Sequence, residues 1–233
     1  MKDREKATEF LNRSLLTRIS GLVALENGAS IQAQSEDGLL LYDAQGDIHL
    51  MCADTDAAAL DMVDKLPKTD LFINERTGID QVLKDRFNFT RVALCFNAVY
   101  LSEDPLEVPG DMVLRPLDVS FLPVVKKYYT VMGHEDIKEH LEHGNLFGGY
   151  AGDSMLGFVG IHWEGSIGML HVFEEHRRRR HGYAMEALMV NRLLSQGRRV
   201  YAQIYTDNEA SIRLHHRLGM TLSPTPISWL SRP

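Results

Sequence analysis

The chain has 233 residues, 44% hydrophobic and 24% charged, with a net charge of −7; the length suits one large domain or two of about 100–130 residues, and the balance excludes a disordered chain, a collagen-like repeat and a small disulfide scaffold. Net acidity argues against a general nucleic-acid binder, which needs a broad basic surface; no apolar run approaches the roughly 18 residues of a membrane span, and the charged start Lys2-Asp3-Arg4-Glu5-Lys6 leads into no signal-peptide core. Cys52 and Cys95 are the only cysteines and lack metal-ligand spacing, so a reducing cytoplasm is the expected setting.

Residues 3–26 read as one or two amphipathic helices. Leu39–Tyr42 and Ile48–Met51 read as strands flanking the turn Ala44-Gln45-Gly46-Asp47. Ala57–Leu66 has a helical pattern, Asp70–Asn74 a strand pattern, Gly78–Phe87 a helical one and Thr90–Leu101 a strand pattern. The polar stretch Ser102–Gly110, with Pro105 and Pro109, is the expected boundary between an N-terminal α+β domain over 1–108 and a second domain over 109–233. Charge supports the division: up to Val108 there are 11 Lys and Arg against 19 Asp and Glu, and beyond it 14 against 13, with nine of the ten histidines.

In the second region Met112–Arg115 reads as a strand, and Phe121–Val131 and Glu135–His143 as short helices. Leu146–Ala151, Leu156–Trp163 and Ile167–Phe173 form a meander whose turns hold Gly152-Asp153 and Glu164-Gly165. Tyr183–Leu194 is helical and stops at Gly197, Val200–Tyr205 alternates as a strand, and Asn208–Leu218 is a helix capped by Asn208 and ended by Gly219. Ile227–Leu230 is the last strand.

The segment Glu174-Glu175-His176-Arg177-Arg178-Arg179-Arg180-His181-Gly182-Tyr183-Ala184 lies between a strand and a helix. Four arginines in a row are often a solvated turn. At a helix start, however, cations oppose the helix dipole, whereas the free N–H groups there attract anions. Gly182 lets backbone approach a ligand and Ala184 keeps the next turn small, so the segment describes a pyrophosphate cradle.

Arg179-Arg180-His181-Gly182-Tyr183-Ala184 resembles the Gln/Arg-x-x-Gly-x-Gly/Ala motif of the GCN-five-related N-acetyltransferases, the GNAT superfamily. The stretch Asn208–Met220 resembles its second signature, Asn-x-x-Ala-x-x-Leu-Tyr-x-x-x-Gly-Phe, with Ser211, His215 and Met220 in place of its Ala, Tyr and Phe. The two lie in the family's order, separated by a helix and a strand, and the likeness covers about residues 112–233. With its N-terminal domain and Trp229, the arrangement looks most like the glycine N-acyltransferase-like branch. The resemblance implies an α/β (α+β) chain: a C-terminal mixed, mostly antiparallel sheet flanked by helices, with a smaller N-terminal α+β domain. A strand, Gly-Asp turn and strand near 39–51 echoes the one near 146–161, which raises the reading that the first half is a degenerate GNAT-like copy.

The same resemblance implies acetyl-CoA, or another acyl-CoA, as cofactor and a small-molecule amine as acceptor, with no nucleic acid and no membrane as partner. Arg179, Arg180, His181, Gly182, Tyr183 and Ala184 would hold the pyrophosphate, Val172 and Phe173 would run beside the pantetheine arm and supply an oxyanion donor, and Asn208 would bond that arm. His215 is the candidate acid for the thiolate. His171, then Glu174, is the candidate base, with Glu175, His162 and Glu164 nearby and a water chain as substitute. His134, His140 and His143 lack the helical spacing with a carboxylate of a zinc motif, so no metal is expected. Tyr128 or Tyr129 would line the acceptor site. The N-terminal domain carries no active-site motif; covering the cleft, forming a homodimer or recognising substrate stay open as its uses. Rival readings are a CoA-binding sensor without turnover and an anion-binding interaction protein.

Overall fold

A computed structural model describes residues 2–232. Helices α1 (Lys2–Asn12) and α2 (Leu15–Glu26) precede strands β1 (Ser30–Gln34), β2 (Gly38–Asp43) and β3 (Ile48–Ala53). Then follow α3 (Asp56–Lys65), β4 (Leu71–Asn74), α4 (Asp80–Phe87) and β5 (Arg91–Tyr100). The second half comprises β6 (Val113–Pro116), α5 (Leu122–Tyr128), α6 (His134–Glu142), β7 (Leu146–Ala151), β8 (Ser154–Ile161) and β9 (Ile167–Val172). It closes with α7 (His181–Ser195), β10 (Val200–Tyr205), α8 (Glu209–Arg217), β11 (Thr221–Leu222) and β12 (Ile227–Ser231). The expected mixed, mostly antiparallel sheet flanked by helices is what the chain forms. Among the described residues no helix is long and apolar enough to cross a membrane.

Local chemistry sets most of these limits. Thr55 starts α3 by accepting the Ala58 N–H at 3.1 Å, and Asn88 ends α4 in the left-handed conformation. Helix α5 stops at Tyr128, three residues short of the expected Val131, because Tyr129 is already extended (φ −117°, ψ 100°). Two strands escape the sequence pattern. Strand β1, Ser-Ile-Gln-Ala-Gln, is a short edge strand whose alternation rests on two apolar residues, Ile31 and Ala33, and β11 has only two residues.

Alternation along the strands divides the core. Leu39, Leu41 and Leu50 pack under α1 and α2 with Phe10, Leu11 and Leu22, whereas Leu40 and Met51 pack under α3 and α4 with Met62 and Leu83. In the second half α7 covers Val159, Val200, Ala202 and Ile204 with Met185, Met189 and Leu193. Helices α5 and α6 cover the other face, where Val125, Ile137 and Leu141 meet Phe158 and Met169.

The sheet runs in the order β1-β2-β3-β4-β12-β5-β10-β9-β8-β7-β6, with β11 also on β5. Among the described residues only β3–β4 and β9–β10 are parallel. The chain's last strand, β12, sits between β4 and β5, two strands of the first half, while β5 also borders β10 of the second half. The boundary stretch is fastened down: Asn191 of α7 accepts the Leu106 N–H at 2.7 Å and donates to the Leu106 C=O at 2.8 Å. The order helix, helix, three strands, helix, strand, helix, strand occurs once from α1 to β5 and again from α5 onward.

Candidate functional site

Strands β9 and β10 are held together by one bridge, Ala202 to Ile167, and then diverge. The cause lies in β9. Phe158 faces His171 and Gly160 faces Gly168, so β9 carries an extra residue relative to β8, and Met169 at φ 52° takes up the kink. A left-handed non-glycine residue costs about 1–3 kcal/mol; here the buried Met169 side chain helps to hold it. Beyond the bulge the backbone of β9 has an edge without a strand partner. The Phe173 N–H donates to the Leu156 C=O on the β8 side. The polar groups of Val172 therefore point the other way, into the gap, and its C=O accepts from Arg177 Nε at 3.1 Å.

The loop above that gap is open to an anion. Arg178 and Arg180 both adopt left-handed φ (63° and 65°) on either side of Arg179, and α7 begins at His181. Among the described residues none of the six N–H groups from Arg178 to Tyr183 finds a protein acceptor; the Ala184 N–H is the first to bond, to the Arg180 C=O at 3.0 Å. Consecutive free N–H groups in such a loop, at the positive end of a helix, form an anion nest. Gly182 is required by neither φ nor packing. A Cβ there would make only ordinary contacts, 3.6 Å from Leu170 and Val172 and 4.0 Å from Leu214. Its bare face leaves room at the top of the gap.

His171 and Phe173 lie on the α5 side of the sheet and Val172 on the α7 side, as alternation requires. The His171 ring stacks on Tyr128 at 4.7 Å and lies 5.6 Å from Phe158. Its Nε2 is buried without a partner. Burial, and then the charge of Arg177, hold its pKa below the usual imidazole range. Both effects favour the neutral ring, whose Nε2 has no protein partner among the described residues. Glu174 points outward from the turn Glu174–His176 and is exposed. Burial raises the pKa of the neighbouring Tyr129 hydroxyl.

The other candidate bases lie elsewhere. Glu164 is buried in the β8–β9 turn, where Ser166 Oγ donates to it, and burial pushes its carboxyl up to about 7. That turn packs against the β2–β3 turn, at the opposite end of β9 from the opening. His162 is pushed down to about 4 by burial. His140 is stacked on Trp163 at 4.3 Å, and among the described residues no cluster of three metal-ligating side chains forms.

Helix α8 borders the gap from the far side. Asn208 Oδ1 accepts the Ser211 N–H at 3.1 Å, leaving its Nδ2 without a protein acceptor among the described residues. His215 is 3% exposed; its Nδ1 donates to the Ser211 C=O at 2.8 Å, and its Nε2 faces Glu186 Oε1 at 3.6 Å. His216 is exposed, about 100° round the helix. Sequence reasoning missed Glu186, although a lone glutamate among Ala184, Met185, Ala187 and Met189 is a visible signal. It also missed a chain of side-chain amides: Trp229 Nε1 donates to Gln203 Oε1 at 2.7 Å, Gln203 Nε2 to Asn97 Oδ1 at 3.2 Å, and Asn97 Nδ2 to the Thr17 C=O at 2.8 Å.

Residues 117–220 match the family model described as the Acetyltransferase (GNAT) family. No curated protein matches the chain. Among solved structures, a Drosophila protein shares the fold with a TM-score of 0.68 at 14% identity, over 99% of this chain and 96% of that one. A GCN5-related N-acetyltransferase from Kribbella flavida reaches 0.57 at 11% identity, over 94% and 96%. A GCN5-related N-acetyltransferase-like protein from Streptococcus suis reaches 0.53 at 12% identity, over 97% and 100%. At these identities the likeness is one of fold.

Proposed function

We propose, from the match of residues 117–220 to the acetyltransferase (GNAT) family model, that the chain transfers an acyl group, most simply acetyl, from CoA to a primary amine of a small molecule or amino acid. The observation that carries this reading is the run of six unpaired N–H groups, Arg178 to Tyr183, standing over the gap between β9 and β10. In this reading the loop and the bare face of Gly182 hold the pyrophosphate, with Arg179, Arg180, His181 and Tyr183 lending their N–H groups and Ala184 its small side chain. Val172 and Phe173 flank the pantetheine arm, the Val172 N–H serves as oxyanion donor, and Asn208 Nδ2 bonds the arm. Bound acyl-CoA supplies the activated thioester.

On the α5 side, Tyr128, His171 and Phe173 line the acceptor position. His171 Nε2 takes the proton from the amine, and Glu174, exposed past the strand end, is the second candidate. His215 gives a proton to the departing thiolate. Because the pKa of His171 is depressed, its base form persists below the usual imidazole range, so the acid limb of kcat/KM is expected below that range. His171→Gln should abolish the limb and slow thiol release by about 100-fold or more. An unchanged limb would transfer the role to Glu174.

The first half reads as a degenerate copy of the second that has lost its cleft. Its parallel pair, β3 and β4, is joined at three positions, against one in β9–β10. Glu75 Oε2 accepts the Ala53 N–H at 3.0 Å, Arg18 Nε bonds Glu75 at 3.0 Å and Arg18 Nη2 bonds Asp54 at 2.7 Å. The start of α3 carries Asp54 and Asp56 where the second half carries arginines. Calorimetric titration with acetyl-CoA is therefore expected to give one site per chain. Two sites would refute the closed first half, and none would refute the acyltransferase reading; binding without thiol release for any amine would leave a sensor. The buried free thiols of Cys52 and Cys95 suit a reducing cytoplasm.

A further inference from the structure

We propose that Glu186 and His215 share one proton across the seam between α7 and α8, and that Glu186 is the positioning residue that keeps this proton at His215 Nε2 for the departing thiolate. The inference rests on the acyl-transfer reading above, in which His215 is the acid.

The tautomer argument starts at Nδ1. Nδ1 has two neighbours, the Ser211 C=O at 2.8 Å and the Ser211 Oγ at 3.3 Å; the carbonyl is the nearer and has no proton to give, so Nδ1 carries one. A neutral ring would then present a bare Nε2 lone pair to the Glu186 carboxylate, Nε2 to Oε1 being 3.6 Å. Two acceptors facing each other in so buried a place repel, and a proton on either one turns the 3.6 Å contact, longer than a hydrogen bond, into an attraction. Both residues are 3% exposed, and neither Glu186 Oε2 nor His215 Nε2 has a partner among the described residues. Burial raises the Glu186 carboxyl above its usual range and His215 draws it back. Among the described residues His215 is the one charged group that acts on the Glu186 carboxyl, and the strands beneath α7 present Val159, Leu170, Val172 and Ile204.

Position ties the pair to the chemistry. Gly182 and Glu186 are four residues apart on one face of α7, so Glu186 lies about one turn below the anion nest, about 6 Å along the axis. Leu214, next to His215, comes within 4.0 Å of the bare face of Gly182, beside Leu170 and Val172. The pair thus bridges the two helices that wall the gap. In the transfer, the amine nitrogen bonds the acyl carbon and its proton goes to His171. The carbon–sulfur bond breaks with its electron pair on sulfur, and sulfur takes the proton from His215 Nε2.

Glu186→Gln separates this role from a structural one. The glutamine amide matches the carboxylate in size and donates a hydrogen bond to Nε2, which pins His215 neutral. In ¹⁵N-histidine spectra of the cofactor-free protein at neutral pH, wild type is expected to show a His215 Nε2 that holds or exchanges a proton, and Glu186→Gln a bare one. In turnover, Glu186→Gln should lower kcat by about tenfold or more and abolish its alkaline limb, with KM for acyl-CoA unchanged. The Glu186→Gln/His215→Gln double variant should lose no more than either single one. Identical His215 ring signals in wild type and Glu186→Gln, or an intact limb, would overturn the shared proton. If His215→Gln keeps wild-type kcat, the acid assignment itself fails. If His215→Gln is slow and Glu186→Gln is not, the sharing alone fails.

Discussion

Gly182→Glu is expected to lower affinity for acetyl-CoA by about 100-fold or more, roughly 2.7 kcal/mol, while the protein stays folded. The fold survives because the space beside Gly182 accepts a side chain: the nearest atoms to a new Cβ are 3.6 Å away, and its backbone is not left-handed. Binding fails, on the proposed reading, because the new carboxylate stands among six N–H groups without protein acceptors and brings negative charge to the proposed anion site. Gly182→Ala adds bulk without charge and should cost much less. Calorimetry reads the affinity and circular dichroism the fold. Unchanged affinity in a folded Gly182→Glu protein would remove the nest from the site.

Arg18→Ala should destabilise the protein by about 3–5 kcal/mol, the usual result of removing one partner from a buried ion pair. Arg18 is 2% exposed. It bonds Glu75 and Asp54, donates through Nη1 to the Phe10 C=O at 3.1 Å, and lies over the Phe10 ring at 4.2 Å. Alanine leaves the Glu75 carboxylate desolvated, with hydrogen bonds from the Ala53 N–H and the Cys52 thiol but no opposite charge from Arg18. Replacing both charges, as in Arg18→Met/Glu75→Leu, removes the stranded charge along with its partner and should restore most of the loss. Urea unfolding measures both. A penalty under about 1 kcal/mol for Arg18→Ala, the level of a surface pair, would show that the pair is open to water.

The loop of free N–H groups on which the proposed anion site rests could be read locally. Arginines before a helix start, Gly182 at its second position and Asn208 as a cap act within a few residues of themselves, and the structure places them at the gap. The alternation that put His171 and Phe173 opposite Val172 is equally local. What stayed hidden depends on contacts distant in the chain. Glu186 acquires its partner only when α8 folds back across 29 residues. Glu164 and His162 looked equivalent to His171 by residue type, and burial in a turn at the far end of β9 sets them apart. Ile227–Leu230 announces a strand by its pattern, but a period of two says nothing about which edges it joins. The echo between residues 39–51 and 146–161 was one hairpin in sequence and is a whole order of elements in space.

The place of β12 bears on how the protein is made. A ribosome delivers the first half long before residue 227, and until then the facing edges of β4 and β5 lack the strand that lies between them. At about 5–20 residues per second, the interval between β5 and β12 leaving the ribosome is on the order of ten seconds. Throughout synthesis, then, the nascent chain displays two open strand edges, together with Val92 and Leu94 on β5, each 40% exposed even in the finished protein. Joining β4 to β5 therefore waits on a strand that leaves the ribosome more than a hundred residues after β5.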